Sequence, residues 1–136
     1  MTLPQPGLEA QRFSDLLVSH MREEIAAAGG WISFARFMEA ALYTPGLGYY
    51  SGGAHKFGAA GDFVTAPELT PLFARTLAVQ AREIMWLSAP QIIEVGAGSG
   101  RLAADMLLEL ELSQSLPDHY RILELSGELR ERQRAT

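Results

Sequence analysis

The chain has 136 residues, of which 48% are hydrophobic and 20% charged, and a formal net charge of −5. That length supports one domain with a modest core, and the acidic balance, without any basic run, argues against a dedicated nucleic-acid or anionic-membrane surface. With no cysteine, disulfides and thiolate metal sites are excluded and a reducing compartment fits.

No apolar run approaches the ~20 residues of a membrane-spanning helix. The opening "MTLPQPGLEAQ" has neither the cationic flank and apolar centre of a secretory signal nor the Arg-rich character of an organellar leader. The expected location is therefore the cytoplasm. Residues 1–9 contain Pro and Gly without a pattern and are expected to fray.

Residues 11–28 carry helix spacing. Phe13, Leu16, Leu17, Met21 and Ile25 fall on one stripe, and Gly29 and Gly30 stop it. His20 borders that stripe and reads as a helix-edge histidine. A second helix is expected from a Ser33 cap, with Phe34, Phe37, Met38, Ala41 and Leu42 repeating at helical intervals before "TPG" at 44–46.

Residues 44–66, "TPGLGYYSGGAHKFGAAGDFVTA", hold no lasting periodicity. A structureless run of that length is uncommon inside a domain unless it is functional or disordered, and four aromatic residues argue against a solvated linker. An ordered loop lying over a site or over the core is expected. A third helix should start at Thr65 or Thr70. "TAPE" has capping-box spacing, so Glu68 reads as a cap, and Leu69, Leu72, Phe73, Leu77, Ile84 and Leu87 form the expected buried stripe.

"PQIIEV" at 90–95 reads as a buried strand. Leu102, Met106, Leu107 and Leu110 give a helix, "RILEL" at 121–125 a second buried strand, and "SGELRERQRAT" the start of another helix. Strand, glycine loop, helix and strand make a βαβ unit of the kind that builds parallel sheets.

The loop itself is "EVGAGSGRL" at 94–102. Its glycines at 96, 98 and 100 let the backbone turn sharply and approach a ligand, at which the next helix points free N–H groups. A dinucleotide fingerprint counted from Gly96 needs its third glycine at position 101, where Arg101 stands. The pattern is E-x-G-x-G-x-G. It resembles the first motif of Rossmann-like methyltransferases that use S-adenosylmethionine, whose methionyl ammonium favours a nearby carboxylate such as Glu94. Near the end of the second strand, Glu124 can accept hydrogen bonds from both hydroxyls of a ribose, a device that dinucleotide enzymes share.

Longer stretches carry a closer resemblance. "ISFARFMEAALYTPGLGYYS", "KFGAAGDFVTAPELTPLF", "IIEVGAGSGRLAADML" and "YRILELSGELRERQ" together resemble the MidA-like methyltransferases, over roughly residues 21–134. This family includes the mitochondrial complex I assembly-factor arginine methyltransferase.

The resemblance implies an α/β fold: an N-terminal helical segment, then the start of a Rossmann-like class I methyltransferase domain with a parallel sheet. About two of its strands fall in this chain. It implies methyl transfer from S-adenosylmethionine to an arginine of a protein substrate, by the family's eukaryotic member a respiratory complex I subunit. Carried over, Glu94, Gly96, Ala97, Gly98, Ser99 and Gly100 would line the methionyl portion of the donor. Glu124 would hold the ribose, and Gly61, Asp62, Phe63 and Thr65 would form the loop facing donor or acceptor.

Residues 1–66 would carry the helices and the active-site loop, and 67–136 the first part of the donor-binding domain. Family members are much longer, so the chain reads as an N-terminal portion. A carboxylate pair to grip a guanidinium is not identifiable, the catalytic residues stay unknown, and no metal site is expected. Alternatives are a fragment of an NAD-type oxidoreductase and a non-catalytic assembly module that retains the fold. Taken alone, the truncated chain is expected to be marginally folded or self-associating, and to lack methyltransferase activity.

Overall fold

The computed structural model describes residues 5–52 and 64–136. The described residues up to 52 belong to one compact unit and those from 64 to a second.

In the first unit, α1 runs Leu8–Ala27 and α2 runs Phe34–Tyr43. The α1 helix begins at Leu8, inside the stretch expected to fray, and the left-handed Gly29 and Gly30 end it as expected, with φ of 82° and 93°. Ser33 caps α2, its Oγ accepting from the Arg36 N–H at 3.2 Å. The Arg36 guanidinium forks onto the Glu24 carboxylate of α1 and also pairs with Glu39 at 2.9 Å.

Both apolar stripes are thinner than the spacing implied. Met21 is the buried residue of α1 and Ala40 that of α2, whereas Leu16 is 58% and Phe34 76% exposed. Two helices alone cannot enclose side chains of that size. Beyond α2 the chain folds back on it, with the N–H groups of Tyr49 and Tyr50 donating to the carbonyls of Ala41 and Leu42. Of the expected 44–66 loop, residues 53–63 lie outside the described residues.

The second unit holds the short α3 (Ala66–Leu69), α4 (Pro71–Leu87), β1 (Gln91–Val95), α5 (Arg101–Leu112), β2 (His119–Leu123) and α6 (Gly127–Ala135). Both proposed starts of the third helix are used. Thr65 precedes α3, and Thr70 caps α4 by accepting from the Leu72 N–H at 3.3 Å. Pro71 at the first turn lacks only an N–H that would have gone unpaired.

The strands β1 and β2 pair in parallel, with Ile92 opposite Tyr120 and Glu94 opposite Ile122. The second strand lies two residues earlier than the expected 121–125, so Glu124 follows it. The core is Ala74 and Ala78 of α4 against Met106 and Leu110 of α5, with Ile92 and Tyr120 of the sheet packed on them. Alanines in that seam let the helices approach closely.

The buried stripe expected on α4 is therefore corrected. Of its members only Leu77 joins the core, while Leu72, Ile84 and Leu87 are exposed. The strands are likewise covered on one face only. Ile93, Val95 and Leu123 stay exposed, because β-strand side chains alternate and the helices cover one side. Among the described residues no helix is long and apolar enough to cross a membrane.

Candidate functional site

The first strand runs directly into the glycine loop. Gly96, Gly98 and Gly100 take φ of 68°, 56° and 85°, a region that side chains with a Cβ rarely enter. The Gly96 N–H donates to the Leu123 carbonyl at 2.9 Å, which fixes the loop's start to the end of β2. Gly100 sits at the cap position of α5. The loop thus turns the chain from the carboxyl edge of a parallel sheet into a helix N-terminus, the corner where open α/β sheets bind ligands.

A cleft of about 210 Å³ opens there. Glu94, Gly96, Ala97, Gly98 and Ser99 line it, together with Thr65, Pro67 and Glu68 from upstream and Arg101 and Leu102 of α5. Glu94 is half-buried, and its Oε2 accepts from the Tyr120 hydroxyl at 2.8 Å. Burial raises the Glu94 pKa, and the tyrosine bond opposes that shift in part. The Tyr120 hydroxyl is itself pushed above its ordinary range, by burial first and then by the neighbouring carboxylate.

Glu68 departs from its expected role. Thr65 makes no side-chain capping bond, and Glu68 turns to the loop, where its Oε1 accepts from the Ser99 hydroxyl. The partner lies 31 positions away in sequence, beyond the reach of any local spacing rule. The cleft therefore contains two carboxylates, Glu68 and Glu94, beside one guanidinium, Arg101, which is already paired with Asp105 at 2.8 Å.

Gly100 and Glu124 are not among the lining residues. Glu124 stands just past β2, where its Oε1 accepts from the Ser126 N–H at 2.9 Å and its Oε2 from Gln133 Nε2 at 3.3 Å. The same amide nitrogen of Gln133 donates to the Gly98 carbonyl at 3.0 Å. The Thr136 hydroxyl adds a bond to the Ser99 carbonyl at 2.8 Å. The helix α6 thereby holds the loop and Glu124 as one piece.

Gln133 and Tyr120 were not singled out from the sequence. Gln133 follows Ser126 and Leu129 by seven and four positions, the inner face of a helix, and that spacing was a usable signal. Of the residues named from the resemblance, Gly61, Asp62 and Phe63 lie outside the described residues. His20 lines a separate hollow in the first unit together with Arg36 and Tyr43. Among the described residues, no cluster of His, Asp and Glu converges as metal ligands do.

Helices followed by a parallel pair, with a glycine loop at its carboxyl edge, form the opening part of a Rossmann-like class I methyltransferase fold. Residues 72–136 match the family model described as "Putative S-adenosyl-L-methionine-dependent methyltransferase". The chain is similar to the crystal structure of a superfamily member from Burkholderia thailandensis bound to S-adenosyl-homocysteine. There the TM-score is 0.88 and the identity 52%, over 99% of this chain and 36% of that one. It is 38% identical over 96 residues to the protein arginine methyltransferase NDUFAF7 of Danio rerio, covering 67% of this chain and 22% of the relative. The Drosophila melanogaster homologue is 32% identical over 108 residues, covering 76% of this chain and 24% of the relative.

The chain belongs to the MidA-like family of class I S-adenosylmethionine-dependent methyltransferases. It spans about a quarter or less of the length of these curated relatives. One expectation is overturned. The curated relatives are mitochondrial proteins, which contradicts the cytoplasmic location read from the opening residues. That reading rested on the lack of a leader in the first residues, and the place where a chain begins does not report its compartment.

Proposed function

We propose that the chain supplies the donor-binding corner of an S-adenosylmethionine-dependent methyltransferase acting on an arginine of a protein. The observation that carries this reading is the cleft in which Glu68 and Glu94 meet the glycine loop at the N-terminus of α5. Its chemistry fits the donor. Two carboxylates suit the methionyl ammonium, and the loop glycines leave room for a close approach. The helix N-terminus suits the methionyl carboxylate. When bound, the donor supplies an electrophilic methyl group on a sulfonium.

The protein's own groups bind and orient. Ser99 would hold Glu68 at the cleft, and Tyr120 would keep the Glu94 carboxylate turned toward it. Glu124 would accept from the ribose hydroxyls. Residues 67–136 would form the donor half, with Gly61, Asp62, Phe63 and Thr65 of the preceding segment facing donor or acceptor. The arginine acceptor is supported by the names of the animal relatives, and the resemblance extends it to a subunit of respiratory complex I.

Calorimetry on the full-length protein tests the donor, with S-adenosylhomocysteine and NAD titrated separately. Binding of S-adenosylhomocysteine without NAD is the expected result, and the reverse would overturn the reading. Methyl transfer from a tritiated donor to arginine-containing complex I subunits, with lysine-only peptides as control, tests the acceptor.

A further inference from the structure

We infer that Gln133 is a positioning residue that sets the ribose-accepting carboxylate in register with the glycine loop. This rests on the donor reading above. A primary amide nitrogen carries two hydrogens, and the geometry engages both, one on the Gly98 carbonyl at 3.0 Å and one on Glu124 Oε2 at 3.3 Å. The other carboxylate oxygen is held by the Ser126 N–H at 2.9 Å. Each oxygen keeps a lone pair for an incoming hydroxyl, so Glu124 is oriented without being used up.

The backbone enforces this bridge. Ser126, which caps α6, and Leu129 in its first turn are 1% and 3% exposed. Gly100 lets the helix lie against the loop, because a Cβ there would stand 3.3 Å from Gln133 Cα. At this length only a neutral amide presents two donors to a carbonyl and a carboxylate at once. Glutamate would present acceptors to both, and methionine nothing.

The experiment compares S-adenosylhomocysteine with its 2′,3′-dideoxyribose analogue, using the full-length protein and its Gln133→Met and Gln133→Glu variants. The expected result for Gln133→Met is a loss of about tenfold for S-adenosylhomocysteine and under about twofold for the analogue, since the defect acts through the ribose hydroxyls. In Gln133→Glu two carboxylates face each other, and one of them takes up a proton as pH falls. Its affinity for S-adenosylhomocysteine should recover as the pH is lowered, where wild type shows no such recovery.

Equal losses for both ligands would make Gln133 merely structural and overturn the inference, as would unchanged affinity in both variants. If Gln133→Glu does not fold, the two-ligand comparison on Gln133→Met decides alone. Failure of the wild-type protein to bind S-adenosylhomocysteine would instead sink the donor reading itself.

Discussion

The Tyr120 hydroxyl donates to Glu94 Oε2 at 2.8 Å, reaching from β2 to a carboxylate on the neighbouring strand. Glu94 lines the cleft, and the bond opposes the burial that raises its pKa. Removing the hydroxyl leaves burial unopposed, so Tyr120→Phe should raise that pKa further. If the charged carboxylate holds the donor's ammonium, affinity for S-adenosylhomocysteine falls as pH drops through the raised value. In Tyr120→Phe the fall begins at higher pH.

The sign for stability is the opposite one. A carboxyl whose pKa is raised by folding binds more protons in the native state between its ordinary and raised values. Glu94 therefore costs stability as pH rises through that window and relieves the cost below it. Calorimetric affinity and thermal melting, each followed against pH, would check the two signs. Coincident affinity profiles for wild type and Tyr120→Phe would count against a binding role for the Glu94 charge.

The pattern of elements was legible because each rests on local chemistry. Gly29 and Gly30 stop a helix, Ser33 caps one, and β1 is a short apolar run that ends in glycines. Side-chain destinations were not. Glu68 has ideal spacing for a capping box, but its partner is Ser99, which only the tertiary fold brings near. The stripe on α4 was read from size, whereas the helix buries its alanines because α5 comes so close. Glu124 was singled out from its place near the end of the expected second strand, and the structure sets it just past β2. Gln133 has the spacing of an inner helix face, but its partners, Gly98 and Glu124, are set by a helix-to-loop contact that spacing does not give.

Glu124→Ala should weaken binding of S-adenosylhomocysteine by about 2–4 kcal/mol if both ribose hydroxyls donate to it, since bonds to a charged acceptor are each worth roughly 1.5–3 kcal/mol. The carboxylate also accepts from Ser126 and Gln133, so a modest loss of melting temperature should accompany the binding defect. Titration at a temperature well below the transition separates the two. Donor affinity equal to that of wild type would leave Glu124 a purely structural anchor.

Gly100→Ala tests the approach of α6 to the loop. The glycine has φ of 85°, and the new methyl group would stand 3.3 Å from Gln133 Cα and 3.4 Å from its Cγ. A left-handed conformation costs a non-glycine residue roughly 1–2 kcal/mol, before any displacement of α6. The expected outcome is destabilisation of at least that size, together with weaker donor binding, measured by denaturant unfolding and calorimetry. A neutral substitution would mean that the loop relaxes freely and that the contact with Gln133 does not hold it.

The bare face of the sheet makes the last prediction. Ile93, Val95, Leu123 and Leu125 are 68%, 73%, 60% and 67% exposed, and Trp86 and Leu87 at the end of α4 are 90% and 84% exposed. Exposed apolar side chains clustered on adjacent strands promote association, and the described sheet has only two strands, which leaves unpaired backbone groups along its outer edges. The 136-residue chain purified by itself should therefore self-associate. Light scattering over a dilution series would show the mass falling with concentration. Replacing Ile93 and Val95 together by lysine puts charge on the exposed face and leaves Ile92 in the core, so that variant should run smaller while keeping its helical circular dichroism. A monodisperse wild-type monomer would show that the exposed face is tolerated in water, and an equally associated lysine variant would move the contact to another surface.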